Sequence, residues 1–302
     1  FVMNRPGTDS CRLIYGEADR LPGVIADRFG GVIVLQVLAL GMERFTQTIA
    51  DALLACEKPD CLLLQNDDAI RRKEGMECFT RVLYGTLPEE NIIHENGVKL
   101  AVDVLGGQKT GYFLDQKDNH LFVRQFCKDA RVLDCFSYIG AFALNAAAAG
   151  AKEVTAVDIS EAAVQLTEKN AAPTGADITA VCANCFDFLR AQVKAGEKYD
   201  VVVLDPPAFT KAHANMASAC RGYKEIALSA MRLLPAGGVL ATHSCSYHMP
   251  EEVFVNTVLS AAQDLHRQVR VITLRRQDID HPVLAGYPES HYLKSLWLQM
   301  LD

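Results

Sequence analysis

The chain has 302 residues, of which 50% are hydrophobic and 22% are charged, so it is long enough for one or two packed domains. Its formal net charge of −7 argues against a large nucleic-acid surface, because phosphate contacts come from clustered lysine and arginine, but it is compatible with a local basic face. No apolar run is long enough for a membrane span, no secretory signal opens the chain, and its ten scattered cysteines are typical of reduced thiols, so we expect a cytoplasmic protein with no membrane partner.

Residues 1–90 are predicted to form a separate small α+β domain. Two strand-like segments meet at Gly30-Gly31, which favours a hairpin turn, and helical periodicity follows over 42–56. The densest basic cluster in the chain is Arg71-Arg72-Lys73. It has two interpretations, a solvated loop or a phosphate contact, and the second makes Arg71 and Arg72 substrate-binding residues.

Residues 91–117 are predicted to form a hairpin followed by a glycine-rich loop. Asn96-Gly97 is a strong hairpin signal. The loop over 106–116 is not a P-loop, because the order of Gly, Lys and Thr is wrong and no helix opens directly on Lys109. The loop precedes an amphipathic helix over 118–126, so it either closes over a ligand or serves as a simple connector.

Residues 118–302 are predicted to form one α/β domain, organised around a strand, turn, helix and strand over 131–158. The helix over 141–149 is rich in alanine and is capped by Gly150. Such a βαβ unit implies a mainly parallel sheet with helices on its faces, and ligands bind outside the carboxyl ends of its strands. Asp158, at the tip of the second strand, suits the hydroxyl pair of a ribose.

Polar groups follow five successive predicted strands, which indicates one site along one edge of the sheet. These groups are Asp134, Asp158, Asn184 or Asp187, Asp205, and Ser244-Cys245-Ser246. The segment Asp205-Pro206-Pro207 is the most informative, because two prolines stiffen the chain and remove two N–H donors. The acceptors left there suit an amino or imino group of a planar base. Cys182 and Cys185 form a Cys-x-x-Cys pair without a second pair at zinc-site spacing, so no metal site is predicted.

These motifs together resemble class I methyltransferases that use S-adenosylmethionine, and are most similar to the bacterial large-subunit (23S) rRNA cytosine-C5 methyltransferase family. The similarity covers essentially the whole chain. It rests on Asp134-x-Phe136-Ser137-Tyr138-x-Gly140, Asp158, Asp205-Pro206-Pro207-Ala208-Phe209, Ser244-Cys245-Ser246, the stretch over 16–23, the loop over 109–116, and Tyr292-Leu293-Lys294. The resemblance implies a Rossmann-like domain with a mainly parallel seven-stranded sheet over 118–302, after a small RNA-contacting domain over 1–90.

The resemblance also implies roles for individual residues. Cys245 would be the nucleophile and Asp205 would hydrogen-bond the target cytosine, with Pro207, Phe209 and Ser244 beside the substrate. The implied cofactor-binding residues are Lys109, Thr110, Phe113, Asp115, Asp134, Phe136, Ser137, Gly140, Asp158, Ile159, Asn184, Cys185, Asp205 and Pro206.

A thiol explains how a poor carbon nucleophile could be methylated. Addition of a thiolate to C6 of cytosine makes C5 enamine-like, so that C5 can take a methyl group. The predicted function is therefore 5-methylcytosine formation in large-subunit rRNA through a covalent cysteine adduct. The alternatives are a guanine-N2 or N7 rRNA methyltransferase, which needs no thiol after the fifth strand, a non-catalytic RNA-binding assembly factor, and a small-molecule methyltransferase.

Three departures from the family pattern are visible. Asn184 stands where the family usually has an acid, and Arg20 stands where it usually has glycine. The family also usually begins with a small RNA-binding domain of the PUA type. Since this chain starts at Phe1, we expect it to be part of a longer protein.

Overall fold

A computed structural model describes residues 5–209 and 215–302. The chain divides into two compact units. The N-terminal unit comprises the residues through Lys117 together with Asp278–Ser290. The C-terminal unit comprises Asp118–Gln277 together with His291–Asp302.

The N-terminal unit is built on a five-stranded sheet with the order β1-β2-β3-β4-β5. Its strands are β1 (Ser10–Tyr15), β2 (Val24–Phe29), β3 (Val32–Val37), β4 (Cys61–Asn66) and β5 (Phe79–Gly85). Its helices are α1 (Leu40–Glu43), α2 (Thr46–Glu57) and α3 (Ile70–Lys73). Only β3 and β4 pair in parallel, and a separate hairpin follows, formed by β6 (Asn91–Glu95) and β7 (Val98–Val102).

The predicted turns of this unit are present, but its last sheet strand was not predicted. Gly30-Gly31 joins β2 to β3, and Asn96-Gly97 joins β6 to β7. Strand β3 is fully buried, which matches its continuous apolar sequence. Strand β5 lies at the sheet edge with most of its side chains exposed, so it lacks the apolar alternation that signals a half-buried strand.

The C-terminal unit is a Rossmann-like α/β domain, as predicted. Its strands are β8 (Arg131–Cys135), β9 (Glu153–Asp158), β10 (Ile178–Cys182), β11 (Val201–Leu204), β12 (Val239–Ser244), β13 (Val269–Arg275) and β14 (Lys294–Met300). Its helices are α4 (Lys117–Val123), α5 (Ala141–Ala148), α6 (Glu161–Ala171), α7 (Cys185–Ala195), α8 (Met216–Leu233) and α9 (Glu251–Asp264).

Strand β8 lies at the topological switch point of this sheet, where the strand order reverses. The order is β10-β9-β8-β11-β12-β14-β13, and β14 runs in the direction opposite to the other six strands. Because β8 lies between β9 and β11, the turns after these strands flank the crevice in which such sheets bind ligands.

Helices cover both faces of the sheet, which explains why its strands are apolar throughout. On one face Phe142 of α5 packs in a cluster with Val123 and Trp297. On the other face Ile226 of α8 and Phe254 of α9 pack in a second cluster. Within the described ranges, no helix combines the length and the apolar character needed to cross a membrane.

Candidate active site

The turn after β8 is the tightest piece of backbone at the ligand-binding edge. Phe136, Tyr138 and Gly140 all have positive φ angles, of 63°, 49° and 83°. A Cβ atom on Gly140 would lie 2.7 Å from the Thr167 side chain, so glycine is required there both for conformation and for space. The turn thus exposes backbone groups next to the amino end of α5, where a ligand can approach closely.

Asp134 lies beneath this turn and is fully buried. One carboxylate oxygen accepts a hydrogen bond of 3.0 Å from the Ala143 N–H in the first turn of α5, and the other has no hydrogen-bond partner among the described residues. Burial raises the pKa of Asp134 well above its usual range, and the charges of Asp205 and Asp158 raise it further. Three predicted site carboxylates therefore converge here.

Asp158 is held by backbone donors from two loops. Its carboxylate accepts 2.9 Å hydrogen bonds from the N–H groups of Tyr138 and Ser160, and it remains half-buried. The next side chain, Ile159, is 69% exposed, which is unusual for so large an apolar group. A fixed carboxylate beside an uncovered apolar side chain suits a ribose diol with a planar base next to it.

Asn184 caps α7, which leaves its amide nitrogen for other contacts. The side-chain oxygen accepts hydrogen bonds from the N–H groups of Phe186 (2.9 Å) and Asp187 (3.4 Å). An acid in this position would cap the helix equally well, so the departure from the family pattern keeps the local fold. Contact between Asn184 and the cofactor stays a prediction.

The turn after β11 carries the Asp-Pro-Pro segment. The Asp205 N–H donates to the Cys135 carbonyl at 3.2 Å, which ties this turn to the end of β8. Pro206 is buried, whereas Pro207 is exposed and Phe209 is half-buried. The Phe209 ring packs on Tyr223 with 4.6 Å between the ring centroids, so this turn is packed against α8.

Cys245 sits between two buried serines at the end of β12. Ser244 and Ser246 are 0% and 3% exposed, whereas Cys245 is half-buried and forms no disulfide. The Tyr223 hydroxyl lies 2.9 Å from Ser244 Oγ. Burial raises the pKa of Tyr223, and the charges of Cys245 and Asp205 also raise it. Tyr223 therefore lies near both predicted catalytic residues, which places them at one locus.

Two residues of this locus were not singled out as site residues from the sequence. Tyr223 is a buried aromatic on α8 that resembles an ordinary core residue in the sequence. Lys294 is 2% exposed and donates a hydrogen bond to the Ser246 carbonyl, one residue beyond Cys245. A lysine at the start of the apolar strand Ser-Leu-Trp-Leu was the available signal, because lysine is almost never fully buried without partners.

The side chains of three predicted contact residues are buried with partners in the protein, and their contacts with cofactor or substrate stay predictions. Arg71 is 1% exposed and pairs with Glu43 at 2.9 Å within the N-terminal unit. Cys185 is 3% exposed, and its sulfur accepts from the Phe136 N–H. Ser244 is fully buried against Tyr223. The buried Arg71 guanidinium also donates to the Val37 and Glu77 carbonyls, so all of these partners lie outside its own basic cluster.

The glycine-rich loop belongs to the N-terminal unit. Thr110 is buried and donates to Asp27, and the buried Asp115 carboxylate pairs with Lys109 at 2.9 Å. Lys109 and Phe113 are partly exposed, with the ammonium 4.5 Å from the centre of the ring. Arg72 is exposed on α3. Contact of the loop with the cofactor, and of Arg72 with RNA, stays a prediction.

Comparison with known proteins gives a consistent result. Residues 33–278 match a family model described as S-adenosylmethionine-dependent methyltransferase. Ribosomal RNA large subunit methyltransferase I of Klebsiella pneumoniae is 45% identical over 299 residues, covering 97% of this chain and 74% of the relative. The Salmonella enteritidis protein of the same name is 43% identical with the same coverage.

Solved structures share the fold. The crystal structure of SMU.776 complexed with SAH superposes with a TM-score of 0.84 at 21% identity, covering 98% of this chain and 76% of that one. The SAM-dependent methyltransferase from Agrobacterium tumefaciens gives a TM-score of 0.61 at 19% identity, covering 97% of this chain and 90% of that one.

Proposed function

We propose that this chain, which belongs to the ribosomal RNA large subunit methyltransferase I family of S-adenosylmethionine-dependent methyltransferases, methylates C5 of a cytosine in large-subunit rRNA. The observation that carries the proposal is the position of Cys245. Cys245 is half-buried, forms no disulfide and follows β12 at the carboxyl edge of the sheet, where this fold binds its ligands, and its charge and that of Asp205 both act on Tyr223. A cytoplasmic location is part of the proposal, because bacterial ribosomes are made there.

The residues at this edge fit S-adenosylmethionine. The Asp158 carboxylate, fixed by Tyr138 and Ser160, is placed to accept hydrogen bonds from the ribose hydroxyls, and Ile159 offers an apolar face to adenine. The turn over 136–140, supported by Asp134, lines the methionine end in this proposal, with Pro206 and Asn184 nearby. Bound S-adenosylmethionine supplies an electrophilic methyl group.

Cys245 supplies what the pyrimidine ring lacks, which is electron density at C5. The thiolate forms a bond to C6, and the electron pair of the C5–C6 double bond becomes available at C5 for the methyl group. Loss of the C5 proton then re-forms the double bond while the bond between sulfur and C6 breaks. The thiolate is regenerated, so the cysteine is a catalyst and is not consumed.

Asp205 stabilises the adduct in this proposal. Its carboxylate accepts from the exocyclic amino group and from N3 when that atom is protonated in the adduct, which is an electrostatic role. The target base must leave its stack to reach the thiol. Exposed Pro207 and half-buried Phe209, beside Asp205, are available to pack against a base in that position, and exposed Arg72 is available for the RNA backbone.

Methylation of large-subunit rRNA by wild-type protein and by Cys245→Ala tests the proposal. Purified rRNA is incubated with each protein and methyl-labelled S-adenosylmethionine, and its nucleosides are then separated by mass spectrometry. We expect label in 5-methylcytidine with the wild type, and a loss of at least about 1,000-fold with Cys245→Ala. Label in methylguanosine, or full activity of the variant, would overturn the proposal.

A further inference from the structure

We propose that Lys294 is a positioning residue that holds the Cys245 loop and favours the thiolate form of Cys245. This inference deepens the function proposed above and rests on it, because it assigns the group that activates the proposed nucleophile. It begins from the burial of Lys294, which is the only lysine besides Lys117 among the largest fully buried side chains of the described residues.

Strand pairing fixes where Lys294 lies. Strands β12 and β14 are antiparallel, and Ser244 faces Lys294 in the register of the pair. From this position the Lys294 ammonium donates hydrogen bonds to the Ser246 carbonyl and, at 2.8 Å, to the Tyr292 carbonyl. The side chain therefore reaches past Cys245 and holds the residue on its far side.

The Cys245 loop is thus anchored on both sides of the thiol. Ser244 is tied to Tyr223 of α8, and Ser246 is tied to Lys294 of β14. Cys245 itself keeps partial exposure between these two buried serines. This arrangement fixes the backbone on both sides of the proposed nucleophile, which is itself half-buried.

The charge of Lys294 is the second part of the argument. Burial lowers the pKa of Lys294 to about 8, and the charge of Cys245 opposes this shift more strongly than that of Glu251 does. A lysine near a cysteine favours the thiolate, because the ammonium attracts the anion. Since the ammonium is lost only as the pH rises through about 8, it is present at neutral pH.

Other charged groups around Lys294 are largely engaged with one another. Glu251 at the start of α9 lies 3.7 Å from His291 and 3.9 Å from Arg276. Tyr223, whose pKa is raised by burial, interacts electrostatically with both Cys245 and Asp205. His248 follows in the same loop. Among these groups Lys294 is the buried cation bonded to the cysteine loop.

Alkylation of Cys245 by iodoacetamide tests the inference without requiring catalysis. The rate is measured by peptide mass spectrometry from pH 6 to 10 in wild type, Lys294→Met and Lys294→Arg, without RNA. We expect the midpoint for Lys294→Met to rise by about one pH unit, which slows alkylation at pH 7 about tenfold relative to the high-pH plateau. Lys294→Arg keeps the charge and should restore most of the rate.

The exposed Cys182 in the same protein is the internal control, and its profile should be the same in all three proteins. A folded Lys294→Met protein with an unchanged Cys245 midpoint would overturn the inference, as would a Lys294→Arg protein shifted as far as Lys294→Met. If Lys294→Met does not fold, the inference is tested by comparing the alkylation profiles of Cys245 and Cys182 within the wild-type protein. Cys245 must then keep a larger fraction of its plateau rate at pH 7 than Cys182 does, and a smaller fraction overturns the inference.

The outcome is separable from that of the proposed function. If Cys245→Ala still methylates rRNA, the nucleophile is wrong, whatever the alkylation profile shows. If Cys245 is required but its midpoint does not depend on Lys294, only the positioning role fails.

Discussion

At the scale of single residues, the core of the C-terminal unit contains a histidine in a position suited to phenylalanine. His243 is fully buried, stacks on Phe142 with 5.1 Å between the ring centroids, and meets Trp297 edge-on. Neither ring nitrogen has a hydrogen-bond partner in the described part of the chain. Burial lowers the pKa of His243 to about 3, so the ring stays neutral in the folded protein.

Replacing His243 with Phe should stabilise the protein, because two unsatisfied buried nitrogens are removed and the aromatic packing is kept. We expect a gain of about 1–2 kcal/mol in the free energy of unfolding at pH 7. The unfolded histidine binds a proton below pH 6.5 that the folded one does not bind until about pH 3, so the wild type loses stability over that range. The advantage of the variant should therefore grow by about 2 kcal/mol at pH 5.

Urea unfolding of both proteins at pH 7 and pH 5 measures this difference. The exposed His266 provides a control for the loss of a histidine, and His266→Asn is unfolded under the same conditions. An equal gap between wild type and His243→Phe at the two pH values would show that His243 is not the group that titrates.

The backbone at Arg20 adopts a conformation that favours glycine, which is the residue that the family resemblance leads us to expect there. Its φ and ψ angles are 61° and 26°, in the left-handed region, and its N–H closes the 3-10 turn Gly16–Asp19 on the Glu17 carbonyl. We expect Arg20→Gly to be more stable than Arg20→Ala by about 1 kcal/mol, because only glycine adopts this conformation freely. Thermal unfolding of the two variants measures the difference, and an alanine variant as stable as the glycine variant would contradict it.

Single residues also show which features of the site could be predicted from the sequence and which could not. Cys245 and Asp205 could be proposed from their positions after predicted strands, because parallel strands bring their carboxyl ends to one edge. The burial of Arg71 could not, since it depends on Glu43, a partner 28 residues away on another helix. Lys294 and Tyr223 were missed for the same reason, because their hydrogen bonds join distant parts of the chain.

At the scale of elements, α8 links the turns that follow β11 and β12. Its Tyr223 hydroxyl bonds Ser244 and also interacts with the Phe209 backbone. Tyr223→Phe should therefore loosen the Cys245 and Asp205 loops relative to each other. We expect kcat to fall about tenfold, as a loss of about 1.4 kcal/mol in transition-state stabilisation, with KM for S-adenosylmethionine unchanged.

Tyr199→Phe is the matched control for this prediction. Tyr199 is also buried, and its hydroxyl bonds Gln192. Both variants should lose similar stability, of about 1–2 kcal/mol, because each removes a buried hydroxyl with two hydrogen-bond partners, Ser244 and the Phe209 backbone for Tyr223 and Gln192 and Thr155 for Tyr199. Steady-state methylation kinetics distinguish them, and an equal effect of the two variants on kcat would contradict the role of α8.

Elements differ in how well the sequence predicts them. The unit from β8 to β9 was predicted because alanine favours the helix, glycine ends it, and both strands are continuous apolar runs. Strand β5 was not predicted, because an exposed edge strand has no apolar pattern. Asp278–Ser290 lies between β13 and β14 in the sequence but belongs to the N-terminal unit, which its position in the chain did not predict.

At the scale of the whole molecule, the chain combines an acidic charge of −7 with membership of an rRNA methyltransferase family. The chain spans 74% of the length of the relatives it matches. The charged groups buried in the N-terminal unit, such as Lys117 with Asp280, stabilise its fold and are not available to RNA. Recognition of rRNA is therefore proposed to depend on local contacts such as Arg72, rather than on overall charge.

Covalent trapping on RNA tests the central claim most directly. A large-subunit rRNA transcript made with 5-fluorocytidine is incubated with the protein and S-adenosylmethionine, since fluorine at C5 cannot leave as a proton and the adduct persists. We predict an RNA–protein complex that resists denaturation, and peptide mass spectrometry should place the linkage on Cys245. A linkage to another cysteine, or methylation of ordinary rRNA with no trapped complex, would contradict the account.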